Sequence, residues 1–125
     1  MKCPLCKSDM IILELNYVEI DYCTNCKGIW LDEGELELLY HNSNLEVDSE
    51  LFRKSENNSE PKIKCPVCRR KMEKAEFRHT RIILDRCRNN HGYWFDKGEL
   101  KSLLESDLDS NSELVELLKE IFGSQ

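Results

Sequence analysis

Long apolar runs are missing from this chain of 125 residues. Its mean hydropathy is −0.58, and nothing in it approaches the roughly 20 consecutive apolar residues a spanning helix needs. The start reads Met1-Lys2-Cys3, with no apolar export segment, so the expectation is a cytoplasmic chain in a reducing compartment. That argues against disulfides as the use of its seven cysteines, and an odd number cannot pair completely. No βαβ pattern surrounds the C-x-x-C pairs, which argues against a thioredoxin-like redox role. Length is scarce too. The chain divides into two repeats of roughly forty residues, and units that short usually need a metal or disulfides to fold.

What the chain does have is one cysteine pattern written twice. Cys3-Pro4-Leu5-Cys6 is followed by Cys23-Thr24-Asn25-Cys26, and Cys65-Pro66-Val67-Cys68 by Cys87-Arg88-Asn89-Asn90-His91. Two close pairs about twenty residues apart bring four soft ligands to one point, the arrangement a tetrahedral Zn²⁺ requires. The expected ligands are Cys3, Cys6, Cys23 and Cys26 for one ion, and Cys65, Cys68, Cys87 and His91 for a second. The repeat reaches beyond the ligands. Cys3 and Cys6 recur 62 residues later, while Cys23, Trp30, Asp32, Gly34, Glu35, Leu36 and Leu39 recur 64 residues later. The two-residue difference falls between Cys68 and Cys87, where a hairpin can lengthen without disturbing the knuckles.

Each ligand set frames a hairpin. Ile11, Leu13 and Leu15 alternate, then the phase switches across Asn16 to Val18, Ile20 and Tyr22, the period-2 signature of paired strands. In the second unit Ala75 and Phe77 lead through Arg78-His79-Thr80 to Ile82 and Leu84. Beyond each second knuckle, Asp32-Glu33-Gly34-Glu35 and Asp96-Lys97-Gly98-Glu99 predict a helix start with Asp as N-cap and Glu at N3. The helices continue through Leu36, Leu38 and Leu39, and through Leu100, Leu103 and Leu104. The fold class expected is a small metal-stabilised α+β protein: two tandem zinc ribbons (a β-hairpin plus two knuckles), each followed by a short helix. Residues 1–41 form the first ribbon with its helix and 62–108 the second. Residues 42–61 are a polar linker, with one helical turn near Leu51-Phe52. Residues 109–125 form an amphipathic helix whose stripe of Leu114, Val115, Leu117, Leu118, Ile121 and Phe122 would pack on the ribbons, on a second copy or on another protein.

The run Cys-Pro-Leu-Cys, then Cys-Thr-Asn-Cys-Lys-Gly-Ile-Trp-Leu-Asp-Glu-Gly-Glu-Leu, resembles the small prokaryotic zinc-ribbon family labelled transcription-factor-IIB-type zinc finger. The second unit, ending His-Gly-Tyr-Trp-Phe-Asp-Lys-Gly-Glu-Leu, looks like a divergent copy. The resemblance implies a ribbon with structural zinc and says little about activity. The second unit departs from the family at its fourth ligand: Asn90 stands where Cys26 aligns, and His91 aligns with Lys27. An imidazole reaches further than a thiolate, so His91 can still close the tetrahedron. His79, at the far hairpin end, is the weaker candidate. A site left with three protein ligands and water would be catalytic in type, yet no Glu or His stands at a recognisable spacing to act as its base. His41 reads as a helix C-terminal residue facing solvent.

Trp30 and Trp94 could stack on bases, but their place just before the helix start suits the largest core side chain. Tyr93 and Phe95 are expected to be partly exposed. Charge splits the chain: residues 1–41 carry three Lys against eight acids, and residues 62–108 carry twelve Lys or Arg against seven acids. The basic excess sits at Arg69, Arg70, Lys71, Lys74, Arg78, Arg81, Arg86 and Arg88. That cluster could face phosphates or attract the acidic unit, within a chain or between chains. The whole chain is −6, which repels nucleic acid at long range. The reading is a non-enzymatic zinc-binding module with a protein partner or self-association, acting around transcription; nucleic-acid binding through the basic ribbon is the alternative.

Overall fold

A computed structural model describes residues 1–42, 52–54, 63–77, 82–107, 116 and 119. In the first half, β1 (Ile11–Leu15) and β2 (Val18–Tyr22) pair antiparallel from Ile11↔Tyr22 to Leu15↔Val18. Their two-residue turn, Asn16-Tyr17, has φ of 48° and 68°, the left-handed geometry whose twist matches a hairpin. β3 (Ile29–Asp32) pairs with β2, and α1 (Glu35–His41) follows. After β4 (Phe52–Lys54), the second half repeats this order with β5 (Glu73–Phe77), β6 (Ile83–Arg86), β7 (Gly92–Phe95) and α2 (Glu99–Asp107).

All seven strands form one sheet in the order β1-β2-β3-β7-β6-β5-β4. The two ribbons therefore join edge to edge, through antiparallel pairing of β3 with β7: Ile29↔Phe95, Trp30↔Trp94, Leu31↔Tyr93 and Asp32↔Gly92. A shift of 64 residues turns the pair Ile29↔Phe95 into Tyr93↔Leu31, so the junction has pseudo-twofold symmetry about the two tryptophans. The pleat then sorts side chains onto two faces. On one face Leu15, Val18, Ile20, Ile29, Leu31, Ala75, Leu84 and Phe95 meet Leu36, Leu39 and Tyr40 of α1 and Leu100, Leu103 and Leu104 of α2 in a single cluster. On the other face Trp30, Trp94 and Met72 pack with the cysteines.

This alternation explains where the structure and the sequence expectations part. Phe95 is 0% exposed, because it points to the helix face while Trp94 points to the knuckles; Tyr93, at the end of its row, is half-buried. Both tryptophans are fully buried, so neither offers a stacking platform. Backbone pairing of β4 with β5, Phe52↔Phe77 to Lys54↔Ala75, replaces the helical turn expected near Leu51-Phe52. Asp32 ends β3 and its side chain does not cap α1, whose N-cap is Gly34 at φ 90° with no side-chain cap. In the tail, Glu116 and Lys119 are helical and exposed; its apolar stripe lies outside the described residues, as do Arg78, His79 and Arg81.

Each tryptophan lies over a glycine of the opposite ribbon. A Cβ built on Gly28 would overlap Cζ2 of Trp94, and one on Gly92 would overlap the carbonyl oxygen of Leu31 and crowd Cζ2 of Trp30. Gly28 and Gly92 are 64 residues apart, so the same contact is made twice across the pseudo-twofold. Gly92→Ala should cost about 3 kcal/mol, the upper end of overpacking penalties, because backbone must move. Gly34→Ala should cost only about 1 kcal/mol, for its left-handed backbone alone, since nothing lies within 4 Å of the added atom. Denaturant unfolding of the two variants checks the difference; equal costs would remove the steric argument.

Candidate metal centres

Four knuckles supply the donors, and each is a tight backbone turn. Lys7 N–H donates to Cys3 C=O at 3.0 Å, Lys27 N–H to Cys23 C=O at 2.9 Å, and Arg69 N–H to Cys65 C=O at 2.8 Å. In each, the residue after the second cysteine is left-handed: Lys7 at φ 67°, Lys27 at 68° and Arg69 at 63°. The turn directs main-chain N–H groups at sulfur. Leu5 and Cys6 donate to Cys3 Sγ at 3.4 Å, Cys26 to Cys23 Sγ at 3.4 Å, and Val67 to Cys65 Sγ at 3.3 Å. Such bonds stabilise the thiolate form and orient it.

The fourth knuckle solves its missing cysteine by tightening. Asn90 N–H donates to Cys87 C=O at 3.1 Å, so the turn closes one residue earlier than in the other three. The left-handed residue moves back with it, to Asn90 at φ 60°, a residue type that tolerates this conformation. The bond that closes the outer loop is unchanged: Cys23 N–H to Gly28 C=O and Cys87 N–H to Gly92 C=O, both 3.0 Å. His91 thus occupies the slot of Lys27, with its ring turned inward. Its Nδ1 lies 3.4 Å from Cys87 Sγ and 3.9 Å from Cys65 Sγ.

The ligand atoms of Cys3, Cys6, Cys23 and Cys26 all lie within 4.8 Å of one another, as do those of Cys65, Cys68, Cys87 and His91. Sulfur separations of 3.6 Å for Cys3–Cys26, 3.4 Å for Cys6–Cys23 and 3.6 Å for Cys68–Cys87 compare with about 3.8 Å expected across a tetrahedron of Zn–S bonds near 2.3 Å. None of the seven cysteines forms a disulfide. Donor chemistry and spacing both suit two Zn²⁺ ions. His41 belongs to neither group; it is exposed at the end of α1.

Burial and hydrogen bonding move thiols of the two groups in opposite directions. Burial pushes the thiols of Cys3 and Cys26 up, and that of Cys65 to about 11. Cys6 is held down at about 5, chiefly by the Ser8 hydroxyl and then Asn25, and Cys68 at about 6 by the Arg70 N–H. Four crowded donors cannot all shed protons unless a cation sits among them.

A second network ties each knuckle to its helix. Trp30 Nε1–H donates to Asp32 Oδ1 at 2.8 Å, and Asp32 N–H donates to Glu35 Oε1 at 2.6 Å. The second half repeats this, with Trp94 to Asp96 at 3.0 Å and Asp96 N–H to Glu99 at 2.8 Å. The Trp-x-Asp-x-Gly-Glu run thus fixes the indole rather than capping a helix through Asp. Gly28 and Gly92, which admit the opposite tryptophan, were not singled out in the sequence. Their separation of 64, the same as that of the tryptophans, is the signal that marks them.

Two of the basic residues, Lys74 and Arg86, are paired with acids. Lys74 Nζ is 3.0 Å from Asp85 Oδ1, with both side chains about 95% buried. Arg86 is bonded to Glu73 at 3.1 Å. Among the described residues, Arg69, Arg70, Lys71 and Arg88 remain exposed. No helix among the described residues is long and apolar enough to cross a membrane.

The family model described as transcription factor zinc-finger, a transcription-factor-IIB-type zinc ribbon, matches residues 2–41 and 64–106. No curated protein and no solved structure was found to match the chain.

Burial, and then the neighbouring Asp, raise the carboxyls of Glu35 and Glu99 to about 7 from an ordinary 4.5. A raised acid favours its protonated form in the folded state. Its stabilising contribution is full below about pH 4.5 and is lost as pH rises through about 7. Glu35→Gln and Glu99→Gln keep an acceptor for the Asp N–H without the charge. Their melting temperatures relative to wild type should therefore rise between about pH 5.5 and pH 8. A difference that does not change across that range would show that these carboxyls titrate normally.

Proposed function

The chain belongs to the transcription factor zinc-finger family, and from that membership we propose that it is a non-enzymatic binding module held in shape by two zinc ions. Cys3, Cys6, Cys23 and Cys26 hold one ion, and Cys65, Cys68, Cys87 and His91 the other. Four protein donors fill a tetrahedral shell, and this supports a structural rather than a catalytic metal, since catalysis needs an open position. A zinc–thiolate protein of this kind suits the reducing cytoplasm. Residues 1–41 and 62–108 make up the body together with β4, the rest of 42–61 the connection and 109–125 a helix for packing or docking.

Protein contact around transcription is the favoured role. The observation that carries it is the burial of Lys74 against Asp85 and the pairing of Arg86 with Glu73, which withdraws two of the cations a phosphate-facing cluster would use. The net charge of −6 points the same way. Nucleic acid is the second reading, supported by Arg69, Arg70, Lys71 and Arg88, exposed on the two loops that carry Cys68 and Cys87. Pull-down of the intact protein with and without nuclease separates the readings: protein partners should survive nuclease, and loss of every partner with it would reverse the assignment.

Zinc content tests the ligands. His91→Ala should lower bound zinc from about two towards one per chain, and His79→Ala should leave it unchanged. Acidification should release both ions, because protons compete for every donor. A His91→Ala protein that keeps both ions would show that another group completes the second site.

A further inference from the structure

The sheet has two outer edges, and they are finished differently. β5 is covered by β4, an extended piece that pairs antiparallel along it with Arg53 opposite Glu76. At the other end of the sheet is β1, and among the described residues no strand pairs with its outer side. The repeat offset of 62 places Ile11, Ile12, Leu13, Glu14 and Leu15 where the second half has Glu73, Lys74, Ala75, Glu76 and Phe77. The chain thus displays, on one edge, how the corresponding edge accepts a strand. From this the geometry points to the outer side of β1 as an acceptor for an extended, basic segment of a partner protein, added as an antiparallel strand. The inference rests on the binding-module reading above.

The groups left unpaired among the described residues are identifiable. A two-residue hairpin closes on a pair that exchanges hydrogen bonds, and such pairs then alternate. Leu15↔Val18, Leu13↔Ile20 and Ile11↔Tyr22 are therefore the bonded pairs, and the N–H and C=O of Ile12 and Glu14 turn outward. The Met10 N–H is taken by Met1 C=O at 3.0 Å, so the open stretch begins at Ile12. Apolar surface accompanies it: Ile12 is 66% and Ile11 45% exposed. An edge this apolar is one that proteins ordinarily cover or charge.

Charge selects the occupant. Glu14 and Glu19 stand directly opposite each other and both are exposed, a like-charge pair that disfavours the sheet. A basic residue entering opposite Glu14, as Arg53 stands opposite Glu76, relieves it, and an apolar neighbour can cover Ile12. Pairing of β1 with β1 of a second copy fits poorly, because it would bring its own acidic ribbon, three Lys against eight acids over residues 1–41, against the same charges. Strand addition of this type takes its affinity from main-chain hydrogen bonds and its selectivity from the flanking side chains.

The test uses the full, zinc-loaded chain with two synthetic peptides, Thr-Phe-Arg-Val-Thr and Thr-Phe-Glu-Val-Thr, while backbone amides are followed by NMR. The arginine peptide should shift the amides of Ile12 and Glu14 and slow their exchange, and the glutamate peptide should bind about tenfold more weakly. Glu14→Arg should reverse that preference. Ile12→Pro removes only an outward N–H, so it should abolish the response with zinc content unchanged; if it fails to fold, Glu14→Arg, at an exposed position, decides alone. No response at Ile12 and Glu14 to either peptide at about millimolar concentration and low salt, or an equal response to both, overturns the proposal. So does a dimer in sedimentation that Glu14→Arg alters, since the edge would then belong to a second copy. Pull-down of Glu14→Arg keeps the two readings apart: nuclease-resistant partners undiminished by the substitution defeat strand addition and leave the binding module standing, whereas a wild-type chain without such partners defeats the module.

Discussion

Between β3 and β7 two tryptophans stand opposite each other, and each indole lies over the glycine that ends the other ribbon's knuckle. The rest of the molecule depends on this crossing. A ribbon of forty residues, alone, would leave the edge of β3 unpaired and Trp30 uncovered. Joined, the two halves bury both edges and extend the sheet from three strands to seven. They also place α1 and α2 on the same face over one apolar cluster. That sharing answers the problem of size: neither half buries enough apolar surface to be stable by itself, and the junction gives them a common core. The two metal groups lie on the other face, against the same tryptophans, so ligand geometry and sheet geometry constrain each other through Trp30 and Trp94.

Zinc and junction act on different scales. Structural zinc in small finger peptides contributes on the order of 10–16 kcal/mol at neutral pH, against roughly 5–15 kcal/mol for the net stability of a whole domain. A ligand set therefore decides whether its knuckles exist, while the Trp–Gly crossing decides how two sets of knuckles are held together. Loss of either ion would be felt in both halves, since Gly28, beside the first set, supports Trp94, and Gly92, beside the second, supports Trp30. The fourth knuckle shows how much freedom this leaves. Its turn closes a residue early at Asn90 and its donor changes to an imidazole, yet the Cys87–Gly92 bond has the same 3.0 Å length as its Cys23–Gly28 counterpart. The knuckle can vary inside that loop because the loop's exit, where the glycine must meet the opposite tryptophan, stays in place.

The first hairpin with its turn at Asn16, and the drawing together of Cys3, Cys6, Cys23 and Cys26 and of Cys65, Cys68, Cys87 and His91, were legible in the sequence because each is a local matter, set by spacing, pleat and turn chemistry. So was the burial of the tryptophans. What lies across the junction was not. Phe95 reads as a flanking residue until β7 has a neighbour and α2 lies over it. Lys74 and Arg86 read as surface cations because their partners, Asp85 and Glu73, sit across a strand pair rather than beside them in sequence. Asp32 has the spacing of an N-cap, but the Trp30 indole takes its carboxylate, leaving Glu35 to bond the Asp32 N–H. The edge strand β4 was hidden for another reason. Its three residues carry no alternation of their own, and only the presence of β5 beside them makes an extended conformation worthwhile.

The two halves agree and disagree in a pattern that the pseudo-twofold explains. Positions the symmetry axis needs are the same on both sides: Trp30 and Trp94, Gly28 and Gly92, Asp32 and Asp96, Glu35 and Glu99. Positions far from the axis are free to differ, and they do. Ile12 stands where Lys74 is buried, Cys26 where Asn90 turns, and an acidic surface where the other half is basic. Even beside the axis the helix-facing positions differ, Ile29 against Tyr93 and Leu31 against Phe95; what is kept is the Trp–Gly contact, because each ribbon supplies half of it to the other. At the rims the constraint lapses, and the outer edges and knuckle loops can be shaped for separate contacts. The scaffold is symmetric and its ends are not.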